Sequence, residues 1–147
     1  MRRFSLYFLV IVFLGACKED ENLTLAEFPQ KWGFSGISSS WEANPVINPI
    51  ADSLYYYELN ENGTFTKFIG EFELHGNYET VADADNNPEY LVFRYDQETY
   101  LEDRERDGFG LIHYCGQDYE PFSFVDSNTI KGSWGACDGP NLYFERR

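Results

Sequence analysis

The segment 71–79 (EFELHGNYE) constrains the fold more than any other part of the chain, because its apolar and polar residues alternate strictly. A period of two predicts a β-strand with one buried face and one face in water. The residues on the predicted buried face are Phe72, Leu74, Gly76 and Tyr78. After residue 28, no segment has the three- and four-residue apolar spacing of an amphipathic helix, so we expect an all-β protein.

A second strong signal is the turn Glu61-Asn62-Gly63, which lies between two aromatic, β-prone segments, residues 53–60 and 64–69. Asparagine and glycine both tolerate positive φ, so Asn-Gly between two such segments predicts a β-hairpin. Other segments of similar character follow at similar spacing. The further strand candidates are residues 30–41, 89–95, 109–115, 121–125, 129–134 and 141–145, and residues 102–108 are predicted to form a charged loop.

These segments predict an antiparallel up-and-down sheet of about eight strands within residues 28–147. A sheet of that size in about 120 residues tends to close on itself, because closure removes its exposed edges. We therefore predict an all-β, antiparallel barrel, and a β-sandwich with a similar number of strands is the alternative. In the barrel, the last strand must pair with the first.

The chain begins with a basic and apolar leader. Arg2 and Arg3 precede an uncharged run, residues 4–14, that is too short to span a bilayer as a stable helix. The run ends in Leu14-Gly15-Ala16-Cys17, which resembles the lipobox of bacterial lipoproteins. The resemblance implies that residues 1–16 are a signal peptide, and that Cys17 becomes the N-terminus and carries acyl chains such as palmitate.

Residues 17–27 are polar, acidic and without periodicity, which is typical of a tether between a lipid anchor and a domain. The run Lys18-Glu19-Asp20-Glu21 resembles the signal that sends lipoproteins of one Gram-negative phylum to the outer cell surface. The resemblance implies a lipid-anchored protein of the bacterial outer membrane that faces the cell exterior. The resemblance does not distinguish between the two leaflets as the location of the anchor.

Charge excludes one class of partner. Without residues 1–16, nine basic residues stand against 25 acidic residues, a net charge of −16. Such a charge repels nucleic acid and anionic lipid headgroups, so we expect no nucleic-acid partner. Acidic chains are often disordered, but aromatic residues make up 18% of this one, which favours a folded core.

Two cysteines remain outside the lipobox, Cys115 and Cys137. In an exported domain two such cysteines most simply form a disulfide, and two free buried thiols are the alternative. A bridge requires Cα atoms about 4.4–6.8 Å apart. The spacing is not C-x-x-C, so the pair is not expected to catalyse redox chemistry.

Three short motifs together resemble the small lipocalin-like domains of bacterial lipoproteins: Lys31-Trp32, the hairpin at residues 58–65, and residues 142–146 (LYFER) at the end of the chain. The chain differs from the family signature at Gln30, where the family has glycine. The resemblance implies a barrel whose interior holds one small apolar ligand, and an arginine, here Arg146, that stacks on Trp32 and closes the barrel floor.

The predicted inward face of this barrel is aromatic. Its rings either line a ligand cavity or fill the interior as a core, and the sequence leaves both interpretations open. The candidate residues are Tyr55, Tyr57, Phe65, Phe72, Tyr78, Phe93, Phe122, Phe124 and Trp134.

Candidate chemistry is sparse. The two histidines are His75, which the alternation places on the wet face of its strand, and His113. The sequence has no activated-nucleophile, zinc or phosphate-loop motif, so we expect no enzyme activity, no cofactor and no metal. Two acidic loops, residues 83–87 and 103–108, imitate only the start of a calcium loop. The expected function is a non-catalytic envelope lipoprotein whose barrel binds a small apolar ligand. The alternative is a structural or interaction lipoprotein with a filled barrel that meets another envelope protein.

Overall fold

Antiparallel strands dominate the structure, a computed structural model that describes residues 27–85, 87–108 and 110–147. The helix α1 (Gln97–Glu105) and the 3-10 turn Gly135–Cys137 lie between strands. The predicted signal peptide, Cys17 and all but the last residue of the predicted tether lie outside the described residues. The strands are β1 (Gln30–Ser38), β2 (Asn48–Pro49), β3 (Tyr55–Leu59), β4 (Thr64–Ile69), β5 (Phe72–Ala82), β6 (Pro88–Tyr95), β7 (Tyr119–Asp126), β8 (Thr129–Ser133) and β9 (Asn141–Arg146).

The sheet closes into a barrel of eight strands, because β9 pairs with β1 as well as with β8. The closing register pairs Trp32 with Arg146 and Ser38 with Asn141. The short β2 is a ninth strand that pairs with β1 at Gly36 and Ile37, beyond the part of β1 that pairs with β3. The predicted antiparallel barrel is therefore confirmed, and the β-sandwich alternative is wrong.

Both leading sequence signals correspond to observed elements. β3 and β4 form the predicted hairpin around Gly63, which has a positive φ of 84°. In β5, Leu74 and Gly76 are buried, whereas His75 is exposed. Gly76 is required by packing as well, since a Cβ there would lie 2.8 Å from the Phe65 ring.

The predicted strand 109–115 is wrong: residues 110–115 form no strand, and the helix α1 just before them was not predicted. Asp103 is the buried residue of α1, and its carboxylate accepts hydrogen bonds from the N–H groups of Leu111 at 2.7 Å and Ile112 at 3.1 Å. These bonds use N–H groups that a strand would commit to its ladder. The helix α1 is therefore held by a polar tertiary contact rather than by an apolar face. This explains why apolar periodicity in the sequence does not predict the helix.

The two ends of the barrel differ. We call the end that contains the start of β1, the β3–β4 turn and the end of β9 the floor. The opposite end is the mouth, and α1 together with the described part of loop 106–118, which we call the cap, lies there between β6 and β7. The core residues run from Trp32 to Phe144, so residues 28–147 contain the whole described core and the sheet closes within them.

No helix in the described ranges has the length and apolar character needed to cross a lipid bilayer.

Candidate functional site

Aromatic rings pack against one another in the interior of the barrel. The rings of Tyr57 and Phe93 are nearly parallel, with centroids 4.4 Å apart. Phe65, Phe122 and Phe144 surround this pair with tilted or edge-on rings, and all five residues are at most 2% exposed. Such spacings are those of a packed aromatic core.

Most of the predicted inward residues belong to this core. Tyr55, Tyr57, Phe65, Phe93 and Phe122 are buried, and Tyr78 and Phe124 are partly buried against the core. The prediction missed the buried rings of Phe34 and Phe144.

Two of the predicted inward residues, Phe72 and Trp134, lie elsewhere. Phe72 opens β5 at the mouth, is 39% exposed, and packs under the guanidinium of Arg106 at 4.2 Å. Trp134 directly follows β8 and stacks on the His113 ring of the cap, with centroids 4.6 Å apart. The alternation of β5 and β8 places both residues on the inward face. They lie at or beyond the mouth ends of these strands, however, so they contact the cap instead of the core.

An ion pair is buried at the mouth end of the interior. Lys67 of β4 and Glu120 of β7 are 0% and 2% exposed, and the Lys67 Nζ donates to both Glu120 carboxylate oxygens at 2.8 and 3.1 Å. Burial lowers the pKa of Lys67, and the Glu120 carboxylate offsets part of that effect. Burial alone would raise the pKa of Glu120, but Lys67 and the surrounding donors bring it below its usual value. Each group thus stabilises the charged form of the other.

Tyrosine hydroxyls surround the ion pair. The hydroxyl of Tyr57 donates to Glu120 Oε2 at 2.6 Å, and the hydroxyl of Tyr95 donates to the same oxygen. Tyr55 Oη lies 3.3 Å from Tyr57 Oη and 3.2 Å from His113 Nδ1. Burial, followed by the Glu120 charge, raises the pKa of all three tyrosines, so each keeps its proton.

The same ion pair anchors the cap. Lys67 Nζ donates to the Leu111 carbonyl at 2.5 Å, and the backbone N–H of His113 donates to Glu120 Oε1. Lys67 and Glu120 thus form hydrogen bonds with a backbone carbonyl and a backbone N–H of a loop whose described residues do not pair with any strand. This arrangement holds the cap across the mouth. Because both carboxylate oxygens of Glu120 already accept hydrogen bonds, few acceptor positions remain for other partners.

Sequence reasoning missed this cluster, although a signal was present. Lys67 shares its alternation face with the predicted inward Phe65, and Glu120 shares a face with Phe122 and Phe124. One basic and one acidic residue on two otherwise aromatic inward faces predict a buried pair, because a lone buried charge is prohibitively costly.

The pH dependence of stability should report on His113. Burial, and then the Lys67 ammonium, lowers the pKa of His113 from 6.5 to about 4. As the pH falls below 6.5, the unfolded chain binds a proton that the folded chain does not, so stability decreases, by about 2 kcal/mol at pH 5. We expect His113→Gln to flatten the profile of unfolding free energy in urea between about pH 7 and 5. The matched substitution is His75→Gln, on the exposed face of β5. A profile in His113→Gln as steep as that of the unsubstituted chain would contradict this assignment.

The predicted disulfide is confirmed: Cys115 and Cys137 are bridged, with Cα atoms 5.6 Å apart. The bond joins the cap loop to the 3-10 turn Gly135–Cys137, three residues after Trp134. The cap is therefore tied covalently to the β8–β9 connection as well as by hydrogen bonds to the barrel.

At the floor, Arg146 lies over Trp32, with the guanidinium carbon 5.0 Å from the ring, which is the contact that the lipocalin resemblance implies. Trp32 is fully buried, and its indole N–H donates to Gln30 Oε1 at 3.2 Å. Gln30, at the position where the family has glycine, thus serves as the acceptor for the tryptophan. The backbone of Arg147 continues the closure by donating to the Lys31 carbonyl at 2.8 Å.

Replacing Arg146 with Ala should lower the free energy of unfolding by about 1 kcal/mol, the value of a partly desolvated cation–π contact. Arg147→Ala is the matched control, since Arg147 is the exposed terminal residue. Urea denaturation followed by tryptophan fluorescence measures both variants. Equal losses for the two would show that the Trp32 contact contributes nothing specific.

No protein-family model, curated protein or solved structure matches this chain. Among the residues that the structure describes, no three or more His, Cys, Asp or Glu side chains converge in a way that could hold a metal ion.

Proposed function

We propose that this chain is a non-catalytic lipoprotein of the bacterial outer membrane that acts by binding a second envelope protein. The observation that carries the proposal is the combination of a lipobox at Cys17 with a barrel whose interior is occupied by its own side chains. A ring-to-ring distance of 4.4 Å between Tyr57 and Phe93 leaves no room for a ligand between them. We therefore favour the filled barrel over the barrel that carries an apolar ligand.

The position of the N-terminal end of the barrel domain supports an orientation in which the mouth points away from the membrane. β1 begins at the floor, so a tether over residues 17–27 would join the lipid to the floor end of the barrel. The mouth and its cap would then point away from the membrane. One acyl chain alone binds membranes marginally, so stable anchoring requires more than one chain on Cys17.

The connection between β1 and β3, at the mouth, supports a protein partner. It carries three large apolar residues that are at least 70% exposed: Trp41, Val46 and Leu54. Exposed apolar residues concentrated in one segment are typical of interaction surfaces. Exposed Glu42 and Asp52 lie in the same segment, so the matching partner surface is apolar with a basic rim.

Lipidation is tested with Cys17→Ala in a bacterial host fed a palmitate analogue. We expect the wild-type chain to incorporate the label and to sediment with membranes, and the variant to lose both properties. The double variant Cys115→Ala with Cys137→Ala is the control, because it removes cysteines but leaves the lipobox intact. Labelling of Cys17→Ala would overturn the lipoprotein assignment.

The partner surface is tested by site-specific photo-crosslinking in intact cells. A crosslinker at position 41 should give a product of discrete size, and one at Val125, which is 55% exposed but lies at the floor end of β7, should not. Leu54→Ser should reduce the product at position 41. Identical products from both positions, or a yield unaffected by Leu54→Ser, would contradict a specific surface at the mouth.

A further inference from the structure

A cleft of about 350 Å³ lies outside the barrel, between the cap and the turn that follows β8. α1 contributes Tyr100, Asp103 and Arg104, and the Cys115–Cys137 disulfide forms part of the wall. This volume is at the lower end of the range of small-molecule sites. The disulfide and the Asp103 hydrogen bonds hold the walls together without any bound molecule.

The lining contains two cationic side chains, Arg104 and Arg106, and one carboxylate, Asp103. The guanidinium of Arg104 makes no hydrogen bond or ion pair with any residue that the structure describes. Arg106 also lines the cleft, where its Nε forms an ion pair with Asp103 Oδ1 at 3.7 Å and its guanidinium packs over Phe72. That Nε is buried and has no hydrogen-bond partner among the described residues. Arg104 therefore has no carboxylate partner among the described residues, whereas Arg106 has an ion pair but no hydrogen bond at its Nε.

Two acceptors of the lining are already engaged. The Asp103 carboxylate receives the N–H groups of Leu111 and Ile112, and the hydroxyl of Tyr100 donates to the Gly116 carbonyl at 2.9 Å. A further donor lacks an acceptor: the indole nitrogen of Trp134 is buried without a hydrogen-bond partner among the described residues. Buried donors normally have a partner, so the Nε1 of Trp134 and the Nε of Arg106 are two donors of the lining that an acceptor could satisfy.

The other walls are apolar. Ile112 is 7% exposed, and the partly buried indole of Trp134 is fixed by its stack on His113. A molecule in the cleft would therefore meet both guanidinium donors and a hydrocarbon and aromatic surface. Guanidinium groups match carboxylates in geometry and form charge-assisted hydrogen bonds with them.

We propose that this cleft binds a small amphipathic carboxylate, with the carboxylate at Arg104 and Arg106 and the apolar body against Ile112 and Trp134. The Asp103 carboxylate and the C-terminus of α1 would oppose an anion, but their combined charge of about −1.5 is smaller than the two full charges of the arginines. The proposal goes beyond the binding of an envelope protein and does not depend on the lipid anchor.

The test uses isothermal titration calorimetry on residues 28–147, which contain the whole described core. The probes are 2-naphthoate, its neutral analogue 2-naphthamide, and inorganic phosphate, which has charge but no apolar body. We expect 2-naphthoate to bind with a Kd of about 1 mM or tighter, and both other probes to bind at least about tenfold more weakly. Binding of 2-naphthoate should also weaken as salt is raised, since the arginines are accessible to solvent ions.

Variants locate the site. Arg104→Gln and Arg106→Gln should each weaken 2-naphthoate binding by about tenfold, the loss expected for one charge-assisted contact. Arg94→Gln is the matched control, because Arg94 is exposed on β6 and pairs with Glu79 on the outer face of the barrel. Thermal unfolding of each variant checks that the domain remains folded.

Three outcomes would overturn the proposal. The first is the absence of 2-naphthoate binding, and the second is equal binding of 2-naphthamide or of phosphate. The third is a loss in Arg94→Gln as large as that in Arg106→Gln. If an arginine variant fails to fold, the salt dependence and the probe series on the wild-type domain still decide the question. None of these outcomes bears on the lipidation of Cys17, so the two proposals fail independently.

Discussion

Replacing Glu120 with Ala is expected to lower the free energy of unfolding by about 3–5 kcal/mol, because it leaves the Lys67 ammonium buried without a counter-charge. The substitution also removes the acceptor for the hydroxyls of Tyr57 and Tyr95 and for the backbone N–H of His113. Each buried donor left unsatisfied adds a desolvation cost. Urea denaturation monitored by far-ultraviolet circular dichroism measures the loss.

The surface pair Arg94–Glu79 provides a matched control. Its Nε–Oε1 distance is 3.2 Å, but both side chains are more than half exposed. Glu79→Ala should therefore cost less than about 1 kcal/mol, as is usual for a solvent-exposed pair. Similar losses for Glu120→Ala and Glu79→Ala would show that the interior pair is not desolvated, contrary to the structure.

The ion pair also predicts where the structure opens. In Glu120→Ala, amide hydrogen exchange should accelerate first at Ile112 and His113, because the cap loses its anchor before the sheet loses its ladder. The double variant Lys67→Met with Glu120→Gln should recover part of the stability, since no unpaired charge remains. Uniform loss of protection over the whole barrel, with the cap no more affected than β5, would contradict a role in anchoring the cap.

Replacing Phe93 with Ala is the second substitution with a large expected effect, about 3–5 kcal/mol. The Phe93 ring is fully buried and lies 4.4 Å from Tyr57, 4.8 Å from Phe65 and 5.4 Å from Phe122, measured between centroids. Its removal leaves a cavity among rigid rings, which cannot collapse to fill the space.

Phe72→Ala is the matched control for Phe93→Ala, because the alternation of β5 placed Phe72 inside and the structure places it at the exposed mouth. We expect a loss of about 1 kcal/mol, from its partial burial and its contact with Arg106. Chemical denaturation of the two variants decides between the two placements. A Phe72→Ala loss as large as that of Phe93→Ala would favour the interior placement.

Part of the candidate site was predictable because its residues lie on regular strands. The alternation of inward and outward positions along β3, β4, β6 and β7 correctly placed five aromatic side chains in the interior. The antiparallel order of the strands predicted that the last strand would pair with the first. Trp32 and Arg146 follow from that pairing, since they are directly opposite in the register. The cap and its cleft did not follow, because α1 has no apolar face to signal a helix.

Sequence patterns alone predicted most of the strands, favoured the barrel over the sandwich, and favoured the disulfide over two free thiols. Alternation with a period of two and the Asn62-Gly63 turn act locally, and the cysteines after residue 17 need only to be counted, so these signals can be interpreted without coordinates. Only the tertiary structure decided the conformation of the cap and the contents of the mouth. Lys67 and Glu120 are 53 residues apart, and the loop they hold has no conformational preference strong enough to define it. Its path depends on buried charges that meet only when the barrel has closed.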